Sequence, residues 1–419
     1  MLKRIIDGLF ILGLLAIAAV YIGYFKFFKK EYPGLPLKDF QPRANLVVEQ
    51  HPVQRAKFPV FDAHIHLDYS GLTADQVVQI MDSCNIYKIV NLETHGWWGE
   101  KLQEMINRYQ AKYPDRFITV ANIDYSGIDD PNFPQKAVAQ LEEAYNMGAR
   151  ALKVWRNLGL MARDSKGQFI RIDDPRLDGV WERAGQLKMP VIMHIADPTA
   201  FWKPVDEHNE RYEELQAHLT QKRKKWTLFG PRFDALTGTW YKISLIRHPE
   251  RLYYHSDFTW SGDYYPTKEE LIAQRDRVIA RHPNTVFIGA HMGYQVDDLA
   301  FVAKELDQYP NYFVEMSHVV NELGRQPFTS RRFFLKYQDR ILFGLDGKPE
   351  TDAYAASFRF LETRDEYFDY PRYHWNRFGR WKIYGIYLPD SVLRKVYSEN
   401  AEKVFSYRVL SQSFQSKKR

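Results

Sequence analysis

The sequence predicts an α/β chain: a parallel (β/α)8 barrel with long βα-loop insertions, preceded by an N-terminal transmembrane helix. Three observations predict it. Eight short β-like runs recur from residue 58 onward, amphipathic helical stretches lie between most of them, and an uncharged apolar segment, "GLFILGLLAIAAVYIGYF" (8–25), stands ahead of the first run. Strands that alternate with helices through short loops form parallel sheets with the helices outside.

The N-terminal segment comes first. About 18 apolar residues span a bilayer as a helix. Lys3 and Arg4 precede it and Lys26, Lys29 and Lys30 follow, so the flanking charges do not set its orientation firmly. Three readings stand. An uncleaved signal anchor is favoured because the apolar run continues past "AIAA" (16–19); a cleaved signal and a buried core helix are the others. The first makes 1–28 a membrane anchor and the protein single-pass in a lipid bilayer, its large domain facing the periplasm or exterior. The second makes it secreted. Residues 29–57 read as a stalk with Pro and Gly, 58–408 as the barrel with insertions at about 197–283 and 348–390, and 409–419 as a basic tail.

Composition supports one large core. Of 419 residues, 45% are hydrophobic and 15% aromatic, and the single cysteine, Cys84, excludes an intrachain disulfide framework. Its expected role is a small buried hydrophobe. The net charge of +6 gathers at the chain ends. With no long basic stripe and no binding motif, nucleic acid is not an expected partner. Self-association into a homo-oligomer is left open.

The runs, in order, are "FPVFDAHIH", "YKIVNLE", "RFITVANID", "ARALKVW", "MPVIMHI", "NTVFIGAH", "NYFVEMS" and "RILFGLD". Between the first two, Thr73 and Gln76 make a capping box ahead of a helical stretch, and "PQKAVAQLEEAYNMG" ends at Gly148. The rhythm breaks twice, at 197–283, which holds a basic "QKRKKW" cluster and "RLYYHSDFTWSGDYY", and again after the eighth run. Long βα insertions lie on the face where barrel enzymes bind substrate, although plain surface decoration or a partner interface explains them too.

Residues two apart on a strand share a face. In the first run Phe61, Ala63 and Ile65 suit the helix side, which leaves Asp62, His64 and His66 for the lumen. In the fifth, Ile192 and His194 point inward. In the sixth, Phe287, Gly289 and His291 share a face, and in the eighth so do Leu342, Gly344 and Asp346. Lys153 and Trp155 of the fourth run also face in. Four histidines and an aspartate at one barrel mouth fit a bound divalent metal ion better than ordinary core packing. Imidazole and carboxylate suit Zn2+ first, with Mn2+ or Fe2+ as alternatives.

The ordered motifs "DAHIH" (62–66), "VIMH" (191–194), "GAHMG" (289–293) and "LFGLD" (342–346), with the closing "VLRKVYSENAEKVFS" (392–406), resemble the amidohydrolase superfamily. The similarity is greatest to the amidohydrolase-related branch that includes aminocarboxymuconate-semialdehyde decarboxylase, and it covers roughly 58–406. The resemblance implies a TIM-like barrel and a metal held by His64, His66, His194 and Asp346, with a water in the open position. A metal lowers that water's pKa towards 7. Asp346 would take the water's proton, and His291 would orient the water or stabilise the developing oxyanion.

Lys153 has three readings. It neutralises a substrate carboxylate, pairs with Glu93 or Asp62, or is carboxylated and bridges a second metal, as in other members of the superfamily. The branch is usually mononuclear, so one ion is expected. Arg156 and His318 are further candidates for substrate contact, and Glu93 and His95 could line the mouth. The expected function is hydrolysis of an amide, ester or lactone bond in a small, acidic or aromatic molecule. The alternative is non-oxidative decarboxylation of an aromatic or unsaturated acid, and a non-catalytic membrane-tethered binding protein comes third.

Overall fold

The computed structural model describes residues 12–20, 34–40, 42–93, 96–215, 232–234, 239–241, 260, 265–370 and 378–405. Met1–Val47 and Val48–Arg419 are separate compact units. In the first unit helical backbone runs over 12–20, and a short 3-10 turn spans Leu37–Asp39. Among the described residues no helix is long and apolar enough to cross a membrane. The expected transmembrane helix is corrected on that finding, and with it the single-pass membrane placement and the lipid bilayer as a partner. Residues 8–11 and 21–25 of the apolar run, His95, the "QKRKKW" cluster and the tail 409–419 lie outside the described residues.

The second unit carries eight parallel strands: β1 (Val60–Ile65), β2 (Ile86–Asn91), β3 (Phe117–Ala121), β4 (Ala151–Val154), β5 (Val191–Met193), β6 (Phe287–Gly289), β7 (Tyr312–Glu315) and β8 (Ile341–Leu342). They neighbour one another in chain order. Backbone bonds close the ring: Ala63 N–H donates to Phe343 O (2.9 Å), Asp346 N–H to His64 O (2.8 Å) and His66 N–H to Gly347 O (2.8 Å). The eight expected runs are the eight strands.

Local chemistry sets the helices. Helix α1 (Ala74–Cys84) begins at the Thr73–Gln76 capping box and ends at Asn85 in the left-handed region, φ 65°. Cys84 is buried at its end. Helices α2 (Gly99–Met105), α3 (Phe133–Met147) and α4 (Asp178–Gln186) follow β2, β3 and β4, and Gly148 at φ 124° stops α3. Helices α5 (Lys268–Arg281), α6 (Leu299–Gln308), α7 (Pro327–Lys336) and α8 (Thr351–Glu362) complete the outer layer. The end of the expected stalk is fastened to the barrel unit: His51 bonds the Asp365 carboxylate through its backbone N–H and Nδ1, each at 2.6 Å.

One buried cluster takes a side chain from every strand: Phe61, Val90, Val120, Ala151, Ile192, Ile288, Phe313 and Leu342. Only the lumen brings all eight strands together, so this apolar layer is the barrel's inner floor. Ala401, Val404 and Phe405, from the helical segment Asn400–Phe405, plug it from below, and the rings of Phe405 and Phe61 lie 5.5 Å apart. Each fully buried large apolar side chain contributes about 1.5–3 kcal/mol.

The floor corrects two face assignments. Phe61 and Ala63 point inward, while Asp62 faces the helix layer and accepts from the Tyr354 hydroxyl of α8 at 2.7 Å. The reason is a β-bulge. Asp62 pairs with Ile89 and Ile65 with Asn91, three steps along β1 against two along β2. The extra residue flips the strand's phase, so Ile65 packs outward and His64 and His66 still reach the mouth. On β6, Ile288 is inward and Phe287 outward, the reverse of the expected alternation. His291 regains the lumen because the chain leaves the strand and turns left-handed there, at φ 58°.

Gly344 holds the last close approach. A Cβ there would lie 2.7 Å from Glu315 Oε2 and 3.1 Å from His64 Cβ. Gly344→Ala is expected to lose about 1–3 kcal/mol of stability, read as a lower urea midpoint with an unchanged slope.

Candidate metal centre

The mouth is organised by a residue that the sequence patterns did not single out. Glu315, at the end of β7, is fully buried. Its Oε1 accepts from His64 Nδ1 (2.9 Å), from the His291 backbone N–H (2.9 Å) and from Ser317 Oγ (2.9 Å), and its Oε2 accepts from Ser317 N–H (2.6 Å). Its signal in the sequence was alternation: in "NYFVEMS", Glu315 shares a face with the lumenal Phe313.

The Glu315 bond places the proton of His64 on Nδ1 and leaves Nε2 bare, the arrangement usual for a ligating imidazole. That Nε2 lies 3.3 Å from His66 Nε2 and 3.6 Å from Asp346 Oδ1, and His66 Nε2 lies 3.3 Å from the same oxygen. Metal bonds of about 2.0–2.2 Å give a tetrahedron with edges of about 3.3–3.6 Å. The three donor atoms fit a single divalent ion.

His194 stands beside this trio. Its ring is 4.9 Å from that of His291, its buried Nε2 makes no hydrogen bond among the described residues, and Asp197 Oδ1 is 3.6 Å from it. It falls outside the groups of donors within 4.8 Å of one another, which are His64/His66/Asp346 and His64/His291/Glu315 at the mouth. His291 donates from Nδ1 to Ser317 O at 2.9 Å, so its Nε2 too is bare. His318, half-buried, sets Nδ1 3.4 Å from Asp346 Oδ2.

Burial, and then the Lys153 charge, hold His64 and His194 well below the usual imidazole range, and burial does the same for His291. Neutral imidazole is the form that binds metal. Burial works to raise Asp346, but His64, His66 and His291 keep its carboxyl well below the usual carboxylate range. His291, His318 and Asp346 all sit at positive φ (58°, 58° and 71°), a strain of about 1–3 kcal/mol each that clusters at functional sites.

The other candidates divide. Arg156 places Nη1 at 2.6 and 2.7 Å from the two oxygens of Asp197, and Trp260 Nε1 donates to the same carboxylate at 2.7 Å, so the guanidinium charge is balanced within the fold. Glu93 is buried beside Asp68, whose carboxyl burial and that neighbour push up to about 8. Lys153 is 1% exposed, and its Nζ makes no hydrogen bond among the described residues. Asp62, one partner considered for it, is turned to the helix side.

Burial pulls Lys153 down to about 8 from 10.5. A lysine held below its unfolded value binds fewer protons in the fold, so stability rises as pH climbs through about 8 towards 10.5. Lys153→Met is therefore expected to be more stable than the parent at pH 7, by a few kcal/mol (order of magnitude), with the gap closing by pH 10. Urea titrations of metal-free protein at both pH values measure it. Glu315→Gln should weaken zinc binding about 10–100-fold, as seen by equilibrium dialysis.

A protein-family model described as Amidohydrolase matches residues 61–406. No curated protein matches the chain. Among solved structures the chain is similar to an uncharacterized TIM-barrel protein from Bordetella bronchiseptica (14% identity, covering 83% of this chain and 99% of that one, TM-score 0.48). It is also similar to 2,6-dihydroxybenzoate decarboxylase from Rhizobium (15%, 83% and 99%, TM-score 0.48). A third likeness is dihydroxybenzoic acid decarboxylase from a Polaromonas species, with bound manganese and the inhibitor 2-nitroresorcinol (15%, 84% and 97%, TM-score 0.48). With a family match over most of its length and the strand-end motifs in order, the chain belongs to the amidohydrolase family.

Proposed function

We propose that the chain is a metal-dependent carboxy-lyase that removes CO2 from a small aromatic or unsaturated acid. The observation that carries this reading is Lys153, a buried ammonium beside the donor cluster with no hydrogen-bond partner among the described residues. An unpaired buried charge is costly. Decarboxylation always brings a carboxylate to offset it, whereas hydrolysis of an amide, ester or lactone does so only where the substrate carries a separate acid group. That favours decarboxylation over the hydrolysis first expected from the motifs.

His64, His66 and Asp346 would hold a divalent ion, with His194 beside them, and the ion would supply a positive charge that polarises a substrate oxygen. Zn2+ is the first choice for this donor set and Mn2+ the alternative. The chain's own groups do the rest. Lys153 binds and orients the acid. The apolar floor and buried walls keep water from the reacting bond. As the carbon–carbon bond to the carboxyl breaks, CO2 departs neutral and the electron pair stays on the substrate carbon, which takes up one proton. The proton comes from solvent; the ionised Asp346 carboxylate, 3.4 Å from His318 Nδ1, would take it up and relay it to the carbon, and His291, its ring 4.9 Å from that of His64 and its Nε2 bare, would serve as an acceptor.

The test is an assay panel of aromatic and unsaturated acids together with amides, esters and lactones, in which CO2 release and hydrolysis are followed separately. CO2 release is expected, lost on treatment with chelator and restored by Zn2+ or Mn2+, and Asp346→Asn should lower it about 100-fold or more. Hydrolysis without CO2 release would overturn the reading.

A further inference from the structure

Beside the donor cluster lies a cavity of about 230 Å3, lined by Trp98, Asn122, Tyr125, Lys153, Trp155 and Arg163 among others. These residues follow β2, β3 and β4, or sit on β4 itself, so the cavity opens at the C-terminal end of the strands, where barrel enzymes bind substrate. Its walls are braced: Asn122 donates to Lys153 O (3.1 Å) and accepts from Trp97 N–H (3.1 Å).

Two buried polar groups border it without hydrogen-bond partners among the described residues. One is Lys153 Nζ; the other is the hydroxyl of Tyr125, a residue only 8% exposed. Buried polar atoms are ordinarily satisfied, so two orphans at one cavity mark a ligand's place. Both donate. Charge agrees, since Lys153 and Arg163 stand against one lining carboxylate, Asp124, which accepts from Ser126 N–H at 2.9 Å. The volume lies below the about 300 Å3 of the smallest common ligand pockets, and three aromatic residues line it.

We infer that this cavity receives the non-reacting body of the substrate, a single planar ring bearing an oxygen acceptor, and that Tyr125 is the residue selecting for that oxygen. The inference rests on the reading above, in which the substrate is an acid held at Lys153. A pocket built to hydrogen-bond one substituent discriminates against analogues that lack it.

Calorimetric titration of chelator-treated protein tests it, with benzoate, the three monohydroxybenzoates and cyclohexanecarboxylate as probes. Benzoate should bind more tightly than cyclohexanecarboxylate. At least one hydroxy isomer should bind about 3- to 10-fold more tightly than benzoate, and in Tyr125→Phe no hydroxy isomer should bind more tightly than benzoate does to that same variant. Equal binding of the two unsubstituted acids, binding of none, no favoured isomer, or a gain that survives Tyr125→Phe would overturn the inference. The two readings fail separately. Tyr125-dependent binding without CO2 release from the metal-loaded enzyme sinks the carboxy-lyase alone, whereas CO2 release with no isomer preference sinks the subsite alone.

Discussion

The Glu315 carboxylate is the interaction on which the rest of the mouth depends. It is an anion buried at the centre of a closed sheet, tolerable because four donors from three strand ends converge on it. Through His64 it reaches β1, through the His291 backbone it reaches the end of β6, and through Ser317 it is fixed to its own strand. Each bond also does something for the chemistry. The bond to His64 fixes a tautomer, and with it the direction of a bare nitrogen. The bond to His291 holds a left-handed turn that brings a second imidazole into the lumen. Gly344, on the neighbouring strand end, leaves the room in which the carboxylate sits.

The barrel divides its labour along its axis. Below, one apolar side chain from every strand and a plug from the last helical segment make a floor with no polar obligations. Above, three residues at positive φ and one bulge place histidines and an aspartate where regular strands would not put them. Strained backbone persists only where surrounding structure over-determines it. Here the ring closure does so, since Asp346 N–H is bonded to His64 O and His66 N–H to Gly347 O. Closing the sheet and assembling the donors are the same set of hydrogen bonds.

Charge is distributed unevenly around the mouth. Arg156 is balanced by Asp197, which Trp260 also engages, and Glu93 lies against Asp68. Lys153 alone among these groups has its charged end buried with no hydrogen bond among the described residues. An ammonium so placed, next to an aromatic-walled cavity and offset only at longer range by Glu315, Asp346 and Glu93, is electrostatically complementary to an acid. That complementarity separates this mouth from one shaped for neutral bonds.

Much was legible in one dimension. Eight alternating runs, a capping box at Thr73 and a stop at Gly148 are local patterns, and local patterns set strands, helices and their order because periodicity and capping act within a few residues. The ordered HxH, VIMH, GAHMG and LFGLD motifs likewise marked the family and the strand ends. Face assignment was legible on β4, β5 and β8, whose alternation is regular, and failed on β1 and β6. A bulge and a left-handed turn each change the phase there, and both depend on how a neighbouring strand pairs. Glu315 stayed hidden in a strand without a histidine signature, since an acid's worth is decided by which donors reach it. The apolar segment at 8–25 met a length criterion that no described helix fulfils. The sequence by itself determined the elements, their order and the chemical identity of the donors. Only the tertiary structure decided which side chains face inward, which nitrogen is bare and which charge is left for a ligand, because those follow from contacts between strands hundreds of residues apart.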